Sequence, residues 1–224
     1  MNPLATPDAY ADLEPLLRRL VDLDPRSLVR LRHQPDRLVA LVRTPFAVTA
    51  SRALSVETGL SVETGLSTDV TFACADLLAW LEGGDQPGRR DEQWRWGIPP
   101  EHGWEHLDEV PGAVLRDLVQ AGSRTLAEAA EREGVPGAQP RSEVVETLLD
   151  SVVLMVSAES MELSGSAQIT LRSVSALVRL GFVESAARVA VCGRWIRVAG
   201  EYGSVFAESA SAGLLGGLTL RPLR

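Results

Sequence analysis

The tightest local constraint in the chain lies in residues 186–199. Val189-Ala190-Val191-Cys192 and Trp195-Ile196-Arg197-Val198 are two β-prone runs joined by Gly193-Arg194, and a two-residue connection with Gly first selects a type II′ turn. That turn leaves no freedom of register: Cys192 must face Trp195, Val191 Ile196, Ala190 Arg197, and Val189 Val198. One face then carries Val189, Val191, Ile196 and Val198 and has to be buried. The other carries Arg188, Arg197 and Trp195, with Arg194 at the tip. A tryptophan set between arginines is either covered by another part of the chain, the commoner case, or offered to a partner through stacking and cation–π contact.

Upstream, Leu13, Leu16, Leu17, Leu20 and Val21 repeat at helical spacing, predicting a helix that starts near Asp12 as cap and tolerates Pro15 in its first turn. Leu28 to Arg32 and Arg37 to Val42 read as strands about a His33–Asp36 turn, with Arg30 and Arg32 on the face opposite Val29 and Leu31. A third strand is expected at Phe46 to Leu54, a short one at Val70 to Ala73, and a helix from Asp76 to Glu82. The tandem repeat Ser55–Leu60 and Ser61–Leu66 is six residues long, a multiple of the strand period, so a duplication in a strand end or loop keeps side chains on their faces.

The second half predicts two helices, Ala113 to Ala121 and Thr125 to Glu133, capped by Gly122 and Gly134. Ser142 to Ser157 starts helical and turns β-rich, with Val152 to Val156 expected to pair with Met161 to Ser164. Thr170 is placed as the cap of a helix ending at Gly181, and Gly203 to Phe206 as a third strand beside the hairpin. The resulting expectation is an α+β chain: a small antiparallel sheet with helices in an N-terminal unit (1–86), a Trp/Pro/Gly-rich connecting loop (87–112), and a helical C-terminal unit (113–224) closed by the hairpin. The two units are also compatible with one continuous domain. Helix, helix, helix and an arginine-bearing hairpin is loosely the order of a winged-helix DNA-binding domain.

Charge argues against that function. The net charge is −8, and residues 51–140 hold the whole acidic excess, with 7 arginines against 16 acids. The would-be recognition helix offers Glu143, Glu146 and Asp150 where phosphate contacts are needed, so nucleic acid is disfavoured as a partner and a winged-helix-like DNA-binding regulator stands as the alternative reading. Every one of the 22 basic residues is arginine. Without lysine, a P-loop, a pyridoxal-phosphate Schiff base and a protein-kinase site are all excluded. Cys74 and Cys192 form neither a CxxC pair nor a zinc knuckle, and no GxSxG elbow exists. His102 and His106 would share a helical face for a metal, but Pro99, Pro100 and Gly103 argue against a helix there and HExxH is absent. The reading leans away from an enzyme, and no cofactor or metal is assigned.

Trp94-Arg95-Trp96 and Trp104 gather three of the five tryptophans within eleven residues of irregular, Pro- and Gly-rich chain. Such a loop either staples itself across the core or presents a binding edge, since interface centres are enriched in Trp and Arg. The residues expected to contact a partner are therefore Trp94, Arg95, Trp96, Trp104, Arg188, Arg194, Trp195 and Arg197, in a regulatory or interaction module that binds a protein partner or itself. No apolar run approaches the roughly 20 residues of a membrane span, and the N-terminus lacks a signal-peptide pattern, so a cytoplasmic protein is expected.

Overall fold

A computed structural model describes residues 7–33, 37–55, 69–132, 142–158 and 166–209. A 3-10 segment, Pro7–Leu13, leads into α1 (Glu14–Leu23). Strands β1 (Leu28–His33), β2 (Arg37–Arg43), β3 (Thr49–Ser55) and β4 (Val70–Ala73) follow, then α2 (Cys74–Leu81). Beyond the connecting loop come β5 (Glu105–Pro111), α3 (Gly112–Arg132), α4 (Ser142–Leu149), β6 (Val152–Ser157), β7 (Ser166–Thr170), α5 (Leu171–Arg179), β8 (Ala186–Cys192), β9 (Trp195–Ala199) and β10 (Ser204–Glu208).

Eight strands form one antiparallel sheet in the order β4-β1-β2-β3-β10-β9-β8-β5, and β6 and β7 form a separate pair. The order is palindromic in plan. Each half has a helix followed by a three-strand meander, α1 into β1-β2-β3 and α5 into β8-β9-β10, and a further strand beside the meander's first strand that runs straight into a helix, β4 into α2 and β5 into α3. The halves meet where β3 pairs with β10.

One core serves both halves. Leu16, Leu17 and Leu20 of α1, Leu77 of α2, Leu115 of α3 and Val174 and Leu177 of α5 pack with Val29, Leu31, Ala40, Val42, Ala187, Val189, Val198 and Val205 of the sheet, all at most 2% exposed. The helices thus cover one face of the sheet, and the strand period of two sends the alternate residues to the other.

The small-sheet, loosely winged-helix architecture expected from the sequence is overturned by this eight-stranded sheet. The first meander and the hairpin are interior parts of a single sheet, between β4 at one edge and β5 at the other, rather than local devices. The helices expected at Ala113–Ala121 and Thr125–Glu133 are one helix, α3. Gly122 does not cap; it sits inside α3, where a Cβ would lie 2.7 Å from Leu171 Cδ2, so it is the point at which α5 approaches. Asp12 does not cap α1, which follows the 3-10 segment without a side-chain cap. The partner of β6 is β7, not Met161–Ser164, which lies outside the described residues, as do the His33–Asp36 turn residues 34–36 and repeat residues 56–68. Thr170 occupies the cap position of α5, its hydroxyl 3.3 Å from Ser173 Oγ, with no bond to a backbone amide. The hairpin register deduced from the turn is the one found, Cys192 on Trp195 through Arg188 on Ala199, and Gly193 has φ +55°, which an L side chain tolerates poorly.

The β9–β10 turn closes with Gly200 N donating to Gly203 O, and Tyr202 N donates to Phe182 O. A Cβ on Gly200 would lie 2.1 Å from the Phe182 carbonyl oxygen, and one on Gly203 2.6 Å from the Phe182 ring. Both contacts are with buried parts of Phe182 that have no room to yield. Gly200→Ala is expected to lower stability by about 1–3 kcal/mol, read as a drop of several degrees in Tm by calorimetry, whereas Gly122→Ala, which meets only the tip of a leucine, should cost clearly less.

Candidate interaction face

The helix-free face of the large sheet is built by alternation. Arg30 and Arg32 of β1, Arg37, Val39, Leu41 and Arg43 of β2, Phe206 and Glu208 of β10, Trp195 and Arg197 of β9, and Arg188 of β8 share it, as the strand registers require. Residues 94–104 cross this face, and their contacts show what the crossing does. Trp94 stands edge-on to Trp96 with ring centroids 5.3 Å apart and donates its Nε1–H to the Trp96 carbonyl at 3.0 Å. Trp104 donates to Pro100 O at 3.0 Å and lies tilted on Phe206 at 5.6 Å. The Arg197 guanidinium sits over the Trp104 ring at 4.6 Å and that of Arg43 over Trp96 at 5.8 Å, within the range where a cation is attracted to the ring face.

The predicted residues are brought together in varying degrees. Trp195 is buried, 8% exposed, beneath Gly97 and beside Arg194, whose guanidinium lies 5.8 Å from its ring. Trp94, Trp96, Trp104 and Arg197 are half-buried, while Arg95, Arg188 and Arg194 are exposed. Arg194 pairs with Glu208 at 3.5 Å. Arg188 stands across from Glu109 of β5 and is near enough to Arg197 to disfavour its charge. Sequence reasoning missed Arg43 and Phe206, which come from strands distant in the chain; only the alternation of Arg30 and Arg32 hinted at an arginine-bearing face.

Two clefts flank the loop. One, about 660 Å³, is walled by Arg43, Arg95, Trp96, Arg172, Trp195 and Glu208 among others. The second, about 420 Å³, opens between β3, the β9–β10 turn and the loop, with Arg32, Arg37, Arg52, Arg197, Trp104 and Tyr202 in its wall. Arg172 is the pillar beside the first cleft: it donates to Asp150, Glu146 and the Phe46 carbonyl, and these carboxylates raise its guanidinium against the lowering effect of burial. Burial, followed by Arg172, pushes the Arg43 guanidinium down, and burial followed by Arg188 does the same to Arg197.

The acids of the face are committed. Arg32 pairs with Asp69 at 3.1 Å and with Glu101 at 3.2 Å. Glu201 accepts from the backbone amides of Glu184, Ser185 and Ala186 and from the Ser185 hydroxyl, and these bonds hold its carboxyl far below the usual carboxylate range. His102 is an exposed loop residue and His106 lies in β5, so the helical spacing that would join them does not exist. At the far edge of the sheet, Asp91 Oδ1 accepts from Thr71 N and Arg90 N donates to Thr71 O, so β4 is closed to further pairing along that edge.

The fold is that of the bacterial polymerase sliding clamps. The chain superposes on the DNA polymerase III beta chain of Streptococcus pneumoniae with TM-score 0.53 at 8% identity, covering 89% of this chain and 63% of that one. The Pseudomonas aeruginosa beta subunit gives 0.52 at 11%, covering 90% and 62%, and the Caulobacter crescentus sliding clamp 0.51 at 10%, covering 93% and 65%. The chain therefore spans under two thirds of the clamp chains' length. By sequence it belongs to the family described as a domain of unknown function, DUF8185, whose model matches residues 99–212; residues 3–99 match a second domain of unknown function, DUF8010. No curated protein matches its sequence.

Two measurements test this geometry. A carboxyl held low in the folded state adds stability that is complete above its unfolded value, near pH 4.5, and is lost as pH falls below it. Wild type and Glu201→Gln should therefore differ in Tm at pH 7 and converge as pH is lowered beneath 4.5. For the thiols, Cys74 is buried, its thiol pushed up by desolvation, while Cys192 is half-buried at the edge of the face. Native protein should expose Cys192 to a thiol reagent and Cys74 only after unfolding, resolved by mass spectrometry of the labelled peptides.

Proposed function

We propose that this chain is a non-catalytic cytoplasmic interaction module that takes a protein partner on the helix-free face, through the surface made by the 94–104 loop and the β8–β9 hairpin. The observation that carries this reading is the state of the loop tryptophans. Trp94, Trp96 and Trp104 are neither sunk into a core nor fully in water; they are half-buried, each braced by an arginine or another ring, and Trp96 and Trp104 each edge one of the two clefts. Pre-set aromatic and guanidinium groups lose little side-chain freedom on contact, which is the property of interface hot spots.

The clamp likeness supports an interaction role at the level of fold only. A nucleic-acid reading draws no support from the helices, because Arg18, Arg116 and Arg124 are interleaved with Glu14, Asp117 and Glu128 and form no basic stripe. No helix among the described residues is long and apolar enough to cross a membrane. Two cysteines that remain free thiols suit a reducing compartment.

The test is a tagged pull-down from the native host, divided into nuclease-treated and untreated halves. A stoichiometric protein that survives nuclease, and whose recovery falls about tenfold or more with Trp96→Ala, is the expected result. Recovery lost with nuclease, or unchanged by Trp96→Ala and Trp104→Ala together, overturns the reading.

A further inference from the structure

The pairing of β3 is incomplete. β2 pairs with all of it, from Thr49 to Ser55, but β10 pairs only with Thr49, Ala50 and Ser51. The cause is Phe182: it draws the Gly200–Gly203 turn toward itself through the Tyr202 N–H bond and the two glycine contacts, so β10 begins at Ser204 and cannot run on beside Arg52–Ser55. Every second residue in that stretch points its N–H and C=O away from β2, on the side where Arg52 and Ala53 line the cleft of about 420 Å³. Among the described residues no strand occupies that side.

The walls of this notch are strongly positive in a chain of net charge −8. Arg52 has no acidic partner among the described residues, and Arg197 Nε is buried with no hydrogen-bond partner. The two carboxylates of the wall are already spoken for, Glu101 by Arg32 and Glu201 by the amides of residues 184–186. A half-buried guanidinium without a counter-ion is costly, and stacking on Trp104 offsets only part of that.

We propose that the open half of β3 is a strand-addition site for an extended acidic segment of a protein partner, whose main chain pairs with Arg52–Ser55 and whose carboxylates reach Arg52 and Arg197. Alternation along an added strand sends every second side chain to each face, so an acid on the helix-free face meets Arg197 and an acid at a neighbouring position, on the opposite face, meets Arg52, whose register partner is the core residue Ala40. This rests on the partner-binding reading above and names the partner's chemistry at one of its two clefts.

The probe is a fluorescein-labelled peptide of Glu-Glu-Val repeats, which presents acids on both faces of an extended strand, titrated with the full chain and read by fluorescence anisotropy. Saturable binding is expected, with none for the same peptide carrying Lys in place of Glu. Arg197→Ala and Arg52→Glu should each weaken it by about tenfold or more, and Arg52→Gln by less. N-methylation of alternate peptide amides in one of the two phases should abolish binding, as main-chain pairing requires. Circular dichroism confirms that the variants are folded. No binding of the acidic peptide, equal binding of the lysine peptide, or indifference to both N-methylation phases overturns strand addition. Stronger binding of a single-stranded DNA oligonucleotide with the same arginine dependence also overturns it, in favour of a polyanion groove. If the pull-down partner is lost with Trp96→Ala but retained with Arg52→Glu, the interaction module stands and only this site is wrong; retention with both removes the module as well.

Discussion

The short ladder between β3 and β10 is the contact on which the rest of the molecule depends. Three residue pairs join two half-sheets into one, and the join is what creates a continuous core under both sets of helices and a continuous face opposite them. Val205 of β10 and Ala50 of β3, opposite one another in that ladder, are at most 1% exposed, so the seam is dry on its helical side. The brevity of the pairing is as consequential as its existence. Phe182 and its two glycines end it at Ser51, and the space beyond becomes the arginine-walled cleft.

The helix-free face shows how an acidic protein can present a basic surface. Its acids are held in internal bonds, Glu201 as a cap on three backbone amides and Asp69 between Arg30 and Arg32, while several arginines are braced by tryptophan rings rather than neutralised. Stacking keeps a guanidinium in place without cancelling its charge. The loop thereby serves twice, with Gly97 over Trp195 and Trp104 on Phe206, while Trp96 and Trp104 orient the cations beside them.

Much of the local structure is legible in the sequence. The first meander, β4, α2 and the Gly193-Arg194 hairpin all follow from periodicity and turn chemistry, and the hairpin register came out residue by residue. The failures have physical causes. Gly122 has the composition of a helix stop, but in α3 it is the absence of a side chain, against Leu171, that matters. The winged-helix order treated the hairpin as an appendage, when β9 has a third strand, β10, that continues into β3 about 150 residues upstream. Trp96, Trp104, Trp195 and Arg197 of the candidate face were named from the sequence, yet Arg43 and Phe206 were not, because each carries no local signal beyond its place in a strand.

The sequence by itself determined which residues alternate in and out of each strand, where the tight turn falls, and that lysine chemistry is unavailable. It also determined that three tryptophans would travel together in an irregular loop. Only the tertiary structure decided that this loop lies across the sheet, that β3 and β10 meet for three residue pairs and then part, and that arginines from four strands gather around one cleft. Alternation and turn geometry are properties of neighbouring residues, so they are written locally. Strand order across a sheet depends on which apolar faces bury the most surface together, a comparison among whole elements that no local pattern contains.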